Sequence, residues 1–146
     1  MDKFTLYQIY TIAEAALLWN KSPDTLKDAC NRSTPRFTPT EHRKSSGTWL
    51  ITYNGLYRLY GQPLKKTHPI SQMLTFELTQ IYTVNEAALL WGKHPNTIKD
   101  ACDGHSNRCS PRLTPNECRK SGRTWLITSG GLIRLYGLPI SLQKND

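Results

Sequence analysis

The sequence predicts an α+β protein built from two similar modules in tandem, each mainly helical and each carrying one short β-hairpin. Three observations predict it. A segment near the N-terminus recurs later in the chain, both copies open on a helix-capping pattern, and both continue into a basic run, a tight turn and an apolar run.

The duplication sets the organisation. Tyr10-Thr11-Ile12-Ala13-Glu14-Ala15-Ala16-Leu17-Leu18-Trp19 returns 72 positions later as Tyr82-Thr83-Val84-Asn85-Glu86-Ala87-Ala88-Leu89-Leu90-Trp91. Gly47-Thr48-Trp49-Leu50-Ile51-Thr52 returns 76 positions later as Arg123-Thr124-Trp125-Leu126-Ile127-Thr128, so four residues are inserted within Asp103–Ser110. Met1, Phe4, Leu6, Gln8 and Ile9 match Met73, Phe76, Leu78, Gln80 and Ile81. The modules are read as 1–62 and 73–140, with a linker at 63–72 bearing Pro63, Lys65, Lys66 and Pro69, and a tail at 141–146. Units of about 70 residues are marginal folders alone.

Within a module the elements follow in order. Thr11-x-x-Glu14 and Thr83-x-x-Glu86 are capping boxes that start a first helix. Asn20-Lys21 and Gly92-Lys93 break it, and Ser22-Pro23 supplies a cap and a first-turn proline for a second helix. On that helix Leu26, Ala29 and Cys30 share an inward face, with Asp24, Thr25, Lys27, Asp28 and Asn31 outward. The second copy has Ile98, Ala101 and Cys102 inward, and Asn96, Thr97, Lys99, Asp100 and Asp103 outward. Arg43-Lys44-Ser45-Ser46-Gly47-Thr48-Trp49-Leu50-Ile51-Thr52 reads as a hairpin, as does Arg119–Thr128. Thr52 and Thr128 cap a last helix, Leu56–Tyr60 and Leu132–Tyr136, ended by Gly61 and Gly137. Between second helix and hairpin, Thr38-Pro39-x-Glu41 and Thr114-Pro115-x-Glu117 are candidate caps for an extra helical turn.

Two short helices about a tight turn, with Ala88, Gly92 and Ile98 (Ala16, Asn20 and Leu26 in the first copy) at the key spacings, resemble a helix-turn-helix. With the basic hairpin and closing helix, each module resembles the MerR/excisionase-type winged helix-turn-helix family over about 55 residues. The resemblance implies that the second helix enters the major groove of double-stranded DNA and that the hairpin, as a wing, touches phosphate or minor groove. Carried onto this chain, the recognition-helix candidates are Asp24, Thr25, Lys27, Asp28 and Asn31 with Asn96, Thr97, Lys99 and Asp100. The wing candidates are Arg43, Lys44, Ser45, Arg119, Lys120 and Arg123. Trp19, Trp49, Trp91 and Trp125 lie inside apolar runs, which favours core packing over base stacking.

Charge points the same way. The chain has 19 Lys+Arg against 11 Asp+Glu, a formal +8, which calls for a polyanionic partner and for nucleic acid ahead of a membrane surface. No apolar run approaches the ~18–20 residues of a membrane span, and Met1-Asp2-Lys3-Phe4 lacks a secretion-signal layout, so a cytoplasmic protein is expected. Cys102, His105, Cys109 and Cys118 have the spacing C-x2-H-x3-C-x8-C, which suits zinc. The first copy keeps only Cys30 and has His42 opposite Cys118, so the fold does not need metal; unligated thiols and no cofactor are expected. No Ser-His-Asp elbow or phosphate-cradling glycine loop is present, so the chain is not read as an enzyme.

The expected function is a small sequence-specific repressor or autoregulator reading two related half-sites, as a pseudo-symmetric monomer or a homodimer. The alternative is a protein-interaction module on the same fold, an antitoxin or an inhibitor of a host defence nuclease (anti-CRISPR) from a mobile element, favoured by the acidic residues on the second helices. RNA binding is a third reading. Met73, opposite Met1, is read as a linker residue in preference to an internal start.

Overall fold

The structure is a computed structural model that describes residues 4–32, 36–64, 75–104 and 112–140. Its first half runs β1 (Phe4–Thr5), a 3-10 turn (Leu6–Gln8), β2 (Ile9–Thr11), α1 (Ile12–Trp19), α2 (Pro23–Asn31), β3 (His42–Ser45), β4 (Thr48–Thr52) and α3 (Tyr53–Tyr60). The second half repeats this as β5 (Thr75–Phe76), a 3-10 turn (Leu78–Gln80), β6 (Ile81–Thr83), α4 (Val84–Trp91), α5 (Pro95–Asp103), β7 (Cys118–Ser121), β8 (Thr124–Thr128) and α6 (Ser129–Tyr136). Each half has an antiparallel three-stranded sheet, ordered β2-β4-β3 and β6-β8-β7. Strands β1 and β5 pair with each other, Phe4 opposite Phe76 and Thr5 opposite Thr75, and so join the halves. The two β-hairpins and their helices give the expected α+β architecture, twice.

Local chemistry accounts for the boundaries. The Thr11 hydroxyl accepts the Glu14 N–H at 3.5 Å and the Thr83 hydroxyl accepts the Glu86 N–H at 3.4 Å, opening α1 and α4. Asn20 (φ 53°) and Gly92 (φ 63°) end these helices in the left-handed conformation, which asparagine and glycine tolerate best. The Ser22 hydroxyl then accepts the Asp24 N–H at 3.1 Å. In the second half His94 takes that place, its Nδ1 accepting the Asn96 N–H at 3.0 Å. The last helices begin three residues before their predicted starts, because Thr52 and Thr128 cap Gly55 and Gly131 at 3.2 and 3.1 Å.

The expected extra helical turn does not form. Only half of a capping box forms: Thr38 N–H donates to the Glu41 carboxylate, while Glu41 N–H donates to the Thr38 backbone carbonyl as a turn bond, each 2.9 Å. The Glu41 carbonyl, however, accepts the Thr52 N–H of β4 at 2.9 Å, so the chain is drawn into the sheet. Glu117 and Thr128 repeat this at 2.8 Å.

Each half closes a core of its own. Trp19, Leu26, Ala29, Cys30, Phe37, Ile51 and Leu56 form the first; Trp91, Ile98, Ala101, Cys102, Leu113, Ile127 and Leu132 form the second. The predicted inward face of the second helix is buried in both copies. The Trp19 and Trp91 indoles donate to the Gly61 and Gly137 carbonyls at 2.8 and 2.7 Å, tying the helix pair to the end of α3 or α6. No helix among the described residues is long and apolar enough to cross a membrane.

The turn before each hairpin is pinned by an ion pair, Glu41 to Arg58 at 2.5 Å and Glu117 to Arg134 at 2.6 Å. These side-chain bonds hold both carboxyls below the ordinary carboxylate value, against a smaller opposing effect of burial. A depressed folded-state pKa stabilises the fold above the unfolded value of about 4.3 and ceases to do so as pH falls through the folded value. Stability is therefore expected to decline below about pH 4.3, and Glu41→Gln or Glu117→Gln to flatten that acid limb, as read by urea unfolding midpoints across pH.

Candidate nucleic-acid interface

The two hairpins do not project from the molecule; each reaches across to the opposite half. Arg119 of β7 donates from Nε to the Leu6 carbonyl at 2.9 Å and from Nη2 to the Ile9 carbonyl at 2.6 Å, and grips the Glu14 carboxylate at 2.7 and 3.0 Å. Its guanidinium also stands 5.1 Å from the Tyr7 ring centroid and 5.7 Å from that of Tyr10. Arg43 of β3 mirrors it, donating to the Leu78 carbonyl at 3.0 Å, to the Ile81 carbonyl, and to Glu86 at 2.7 and 3.1 Å. Ser121 accepts the Thr11 N–H at 2.9 Å and donates to Glu14 at 2.5 Å. Ser45 accepts the Thr83 N–H at 3.0 Å and donates to Glu86. Leu6, Ile9 and Leu50 pack against Leu78, Ile81 and Leu126 beneath these bonds.

This corrects three of the wing candidates. Arg43, Arg119 and Ser45 are spent between the halves, with only 4% of the Arg119 side chain exposed. Sequence reasoning missed the role because a basic strand beside a turn reads equally well as a surface wing. The signal was Glu14 and Glu86: they were read as capping-box partners, yet their carboxylates face a guanidinium of the other half.

The rest of the predicted set is on the surface. Asp24, Thr25, Lys27, Asp28 and Asn31 are exposed on α2; Asn96 and Lys99 are exposed on α5, with Thr97 and Asp100 half-buried. The hairpin turns lie between these two helices. A hollow of about 560 Å³ is lined by Leu17, Lys27, Thr48, Trp49, Arg123 and Thr124. A second, of about 320 Å³, is lined by Asn96, Lys99, Thr48, Lys120, Arg123 and Thr124. Thr48, Arg123 and Thr124 border both, so α2, the two turns and α5 form one surface. Lys27, Lys99 and Arg123 make no hydrogen bond or ion pair among the described residues, which leaves their charge available to a partner.

The turns themselves differ. Ser46 (φ 48°) and Gly47 (φ 89°) are both left-handed, whereas in the second turn only Gly122 is (φ 64°), freeing the next position for a side chain, Arg123. A Cβ on Gly122 would lie 3.0 Å from that of Ala13, so this turn is packed against the start of α1. Lys44 and Lys120 are exposed and stand over the Trp49 and Trp125 rings at 5.4 and 5.8 Å. Those indole N–H groups have no acceptor among the described residues, unlike the fully engaged Trp19 and Trp91.

Of the four candidate zinc ligands, His105 and Cys109 lie outside the described residues. Cys102 and Cys118 are buried, and the Cys118 thiol donates to the Thr114 carbonyl at 3.7 Å. Interaction between the two thiols, with burial, pushes Cys102 up, and the same interaction holds Cys118 below the ordinary thiol value against the opposing effect of burial. In the first half burial alone pushes Cys30 up to about 12, and His42 stacks on Trp49 with ring centroids 5.0 Å apart. Among the described residues no group of three or more His, Cys, Asp or Glu is placed to hold a metal ion.

Comparison with known proteins adds one match. A family model described as a helix-turn-helix domain fits residues 1–65 and again residues 73–140. Neither a curated protein nor a solved structure matches the chain.

Removing Arg119 strands the Glu14 carboxylate and two carbonyls in a dry contact, so Arg119→Ala is expected to cost about 3–5 kcal/mol in denaturant unfolding. Arg43→Ala should cost less, because 18% of the Arg43 side chain is exposed.

Proposed function

Because the chain belongs to the helix-turn-helix domain family through both of its halves, we propose that it is a sequence-specific double-stranded DNA-binding protein that reads two related half-sites with one chain. The observation that carries this reading is the surface formed by α2, the hairpin turns and α5, where Lys27, Lys99 and Arg123 hold unpaired charge. Lysine at these places holds phosphate, while Asn31, Asn96 and the threonines offer groups able to bond base edges. Arg123 lies between the two helices, where a minor groove separates two successive major grooves on one face of B-form DNA. The outward residues differ between halves (Asp24 against Asn96, Ser22 against His94), which fits half-sites that are related without being identical. On this reading the chain acts as a small repressor, an autoregulator or an excisionase-like architectural factor, of MerR/excisionase type.

A second reading has its own support. Leu17 and Leu89, at matching places on α1 and α4, are 63% and 76% exposed, and an apolar side chain held out in both copies suits a protein partner. On that reading the chain is an antitoxin, or an anti-CRISPR-like inhibitor of a host defence nuclease, carried by a mobile element.

Selection from a random duplex pool followed by mobility-shift titration separates them. The DNA reading expects an enriched bipartite site, with affinity falling about three orders of magnitude between 50 and 200 mM salt for about six phosphate contacts. Lys27→Ala, Lys99→Ala and Arg123→Ala should each weaken binding and lower the salt slope by about one. An unenriched pool, with binding restored by a co-purifying protein and lost in Leu17→Ser/Leu89→Ser, would favour the second reading.

A further inference from the structure

The surface joining the two halves is self-complementary. Among the described residues, each side chain that crosses it with a hydrogen bond, and each buried leucine or isoleucine beneath, has an identical counterpart crossing the other way; Tyr7, whose counterpart is Thr79, is the exception. Leu6 and Leu78, Ile9 and Ile81, Thr11 and Thr83, and Glu14 and Glu86 match on one side; Arg43 and Arg119, Ser45 and Ser121, and Leu50 and Leu126 match on the other. Each half therefore owns both the arginine and the glutamate of the bridge. The strand register says the same: Phe4 lies opposite Phe76, its own repeat equivalent, which is the pairing that a twofold axis imposes on two antiparallel copies of one strand.

From this we infer that the second half is a complete subunit able to pair through this surface with a second copy of itself when the first half is absent. Its core of Trp91, Ile98, Leu113, Ile127 and Leu132 takes no residue from the first half, so the missing contacts are confined to the shared surface. In a pair of second halves Arg119 grips the Glu86 of the other copy, twice over, and Ser121 meets its Thr83. One contact is lost: the Tyr7 ring over Arg119 is replaced by Thr79. Within the full chain the linker keeps the two halves at an effective concentration that excludes a second chain. Residues 73–146, which open on Met73, have no such internal partner. The pairing holds whatever the outer surface binds, so it stands or falls separately from the DNA reading.

Residues 73–146 expressed alone, with mass measured by light scattering over a micromolar dilution series and helicity by circular dichroism, test it. The expected result is a folded species of twice the fragment mass. Arg119→Ala should raise its dissociation constant at least about a hundredfold. Arg134→Ala, which breaks only exposed bonds within one half, to Glu117 and to the Arg112 carbonyl, should leave the dimer intact. A folded monomer, an unfolded chain, or a dimer indifferent to Arg119→Ala would each overturn the inference.

Discussion

The positions of both helix pairs depend on one kind of contact, a guanidinium driven across from one half into backbone carbonyls and a carboxylate of the other. Arg119 fills this role almost without exposure and Arg43 with somewhat more. The carbonyls it takes, those of Leu6 and Ile9, flank the 3-10 turn that delivers β2 into the start of α1. The same residue therefore closes the contact between halves and holds the segment that leads into the first helix. A lysine has a single donor centre and no planar fork, so it would leave some of these acceptors unpaired. Net stability is not the main yield of such a bridge, since desolvating it costs much of what it returns. Its yield is orientation: few arrangements satisfy so many directed bonds, and a displaced one would leave charge buried.

That division of labour explains how much could be read ahead of the structure. Helix starts were legible because they rest on local side-chain-to-backbone bonds: Thr11, Ser22 and Thr52 each cap within three residues. The inward face of α2 was legible from period alone. The short strands β1 and β2 were not, because strands of two and three residues have no periodicity to display. The contact between halves was also hidden. It depends on residues far apart in sequence, 35 positions for Arg43 with Leu78 and 110 for Thr11 with Ser121, and nothing local distinguishes Arg119 from its neighbour Lys120. On the candidate surface, Lys27 and Lys99 were picked out as outward cations of the second helices, and Arg123, like Arg43 and Arg119, as a basic residue of a hairpin.

The formal +8 is accordingly unevenly available. Arg43, Arg58, Arg119 and Arg134 are neutralised by carboxylates, and Lys21, Lys44, Lys93 and Lys120 rest against aromatic rings. Among the described residues, the cations without a protein partner are gathered on or beside the second helices and at a hairpin turn. The cysteines follow the same asymmetry of duplication: the thiol pair Cys102–Cys118 belongs to one half, and His42 on its tryptophan stands in for it in the other.

The two hairpin turns carry a last consequence. Their backbones differ by one left-handed residue, and that difference places a guanidinium at Arg123 where the matching position, Gly47, has no side chain. A molecule otherwise close to twofold therefore has a head and a tail. Any extended polyanion lying along both hollows meets its central positive charge off the midpoint, so the two directions in which it can be laid down differ in energy.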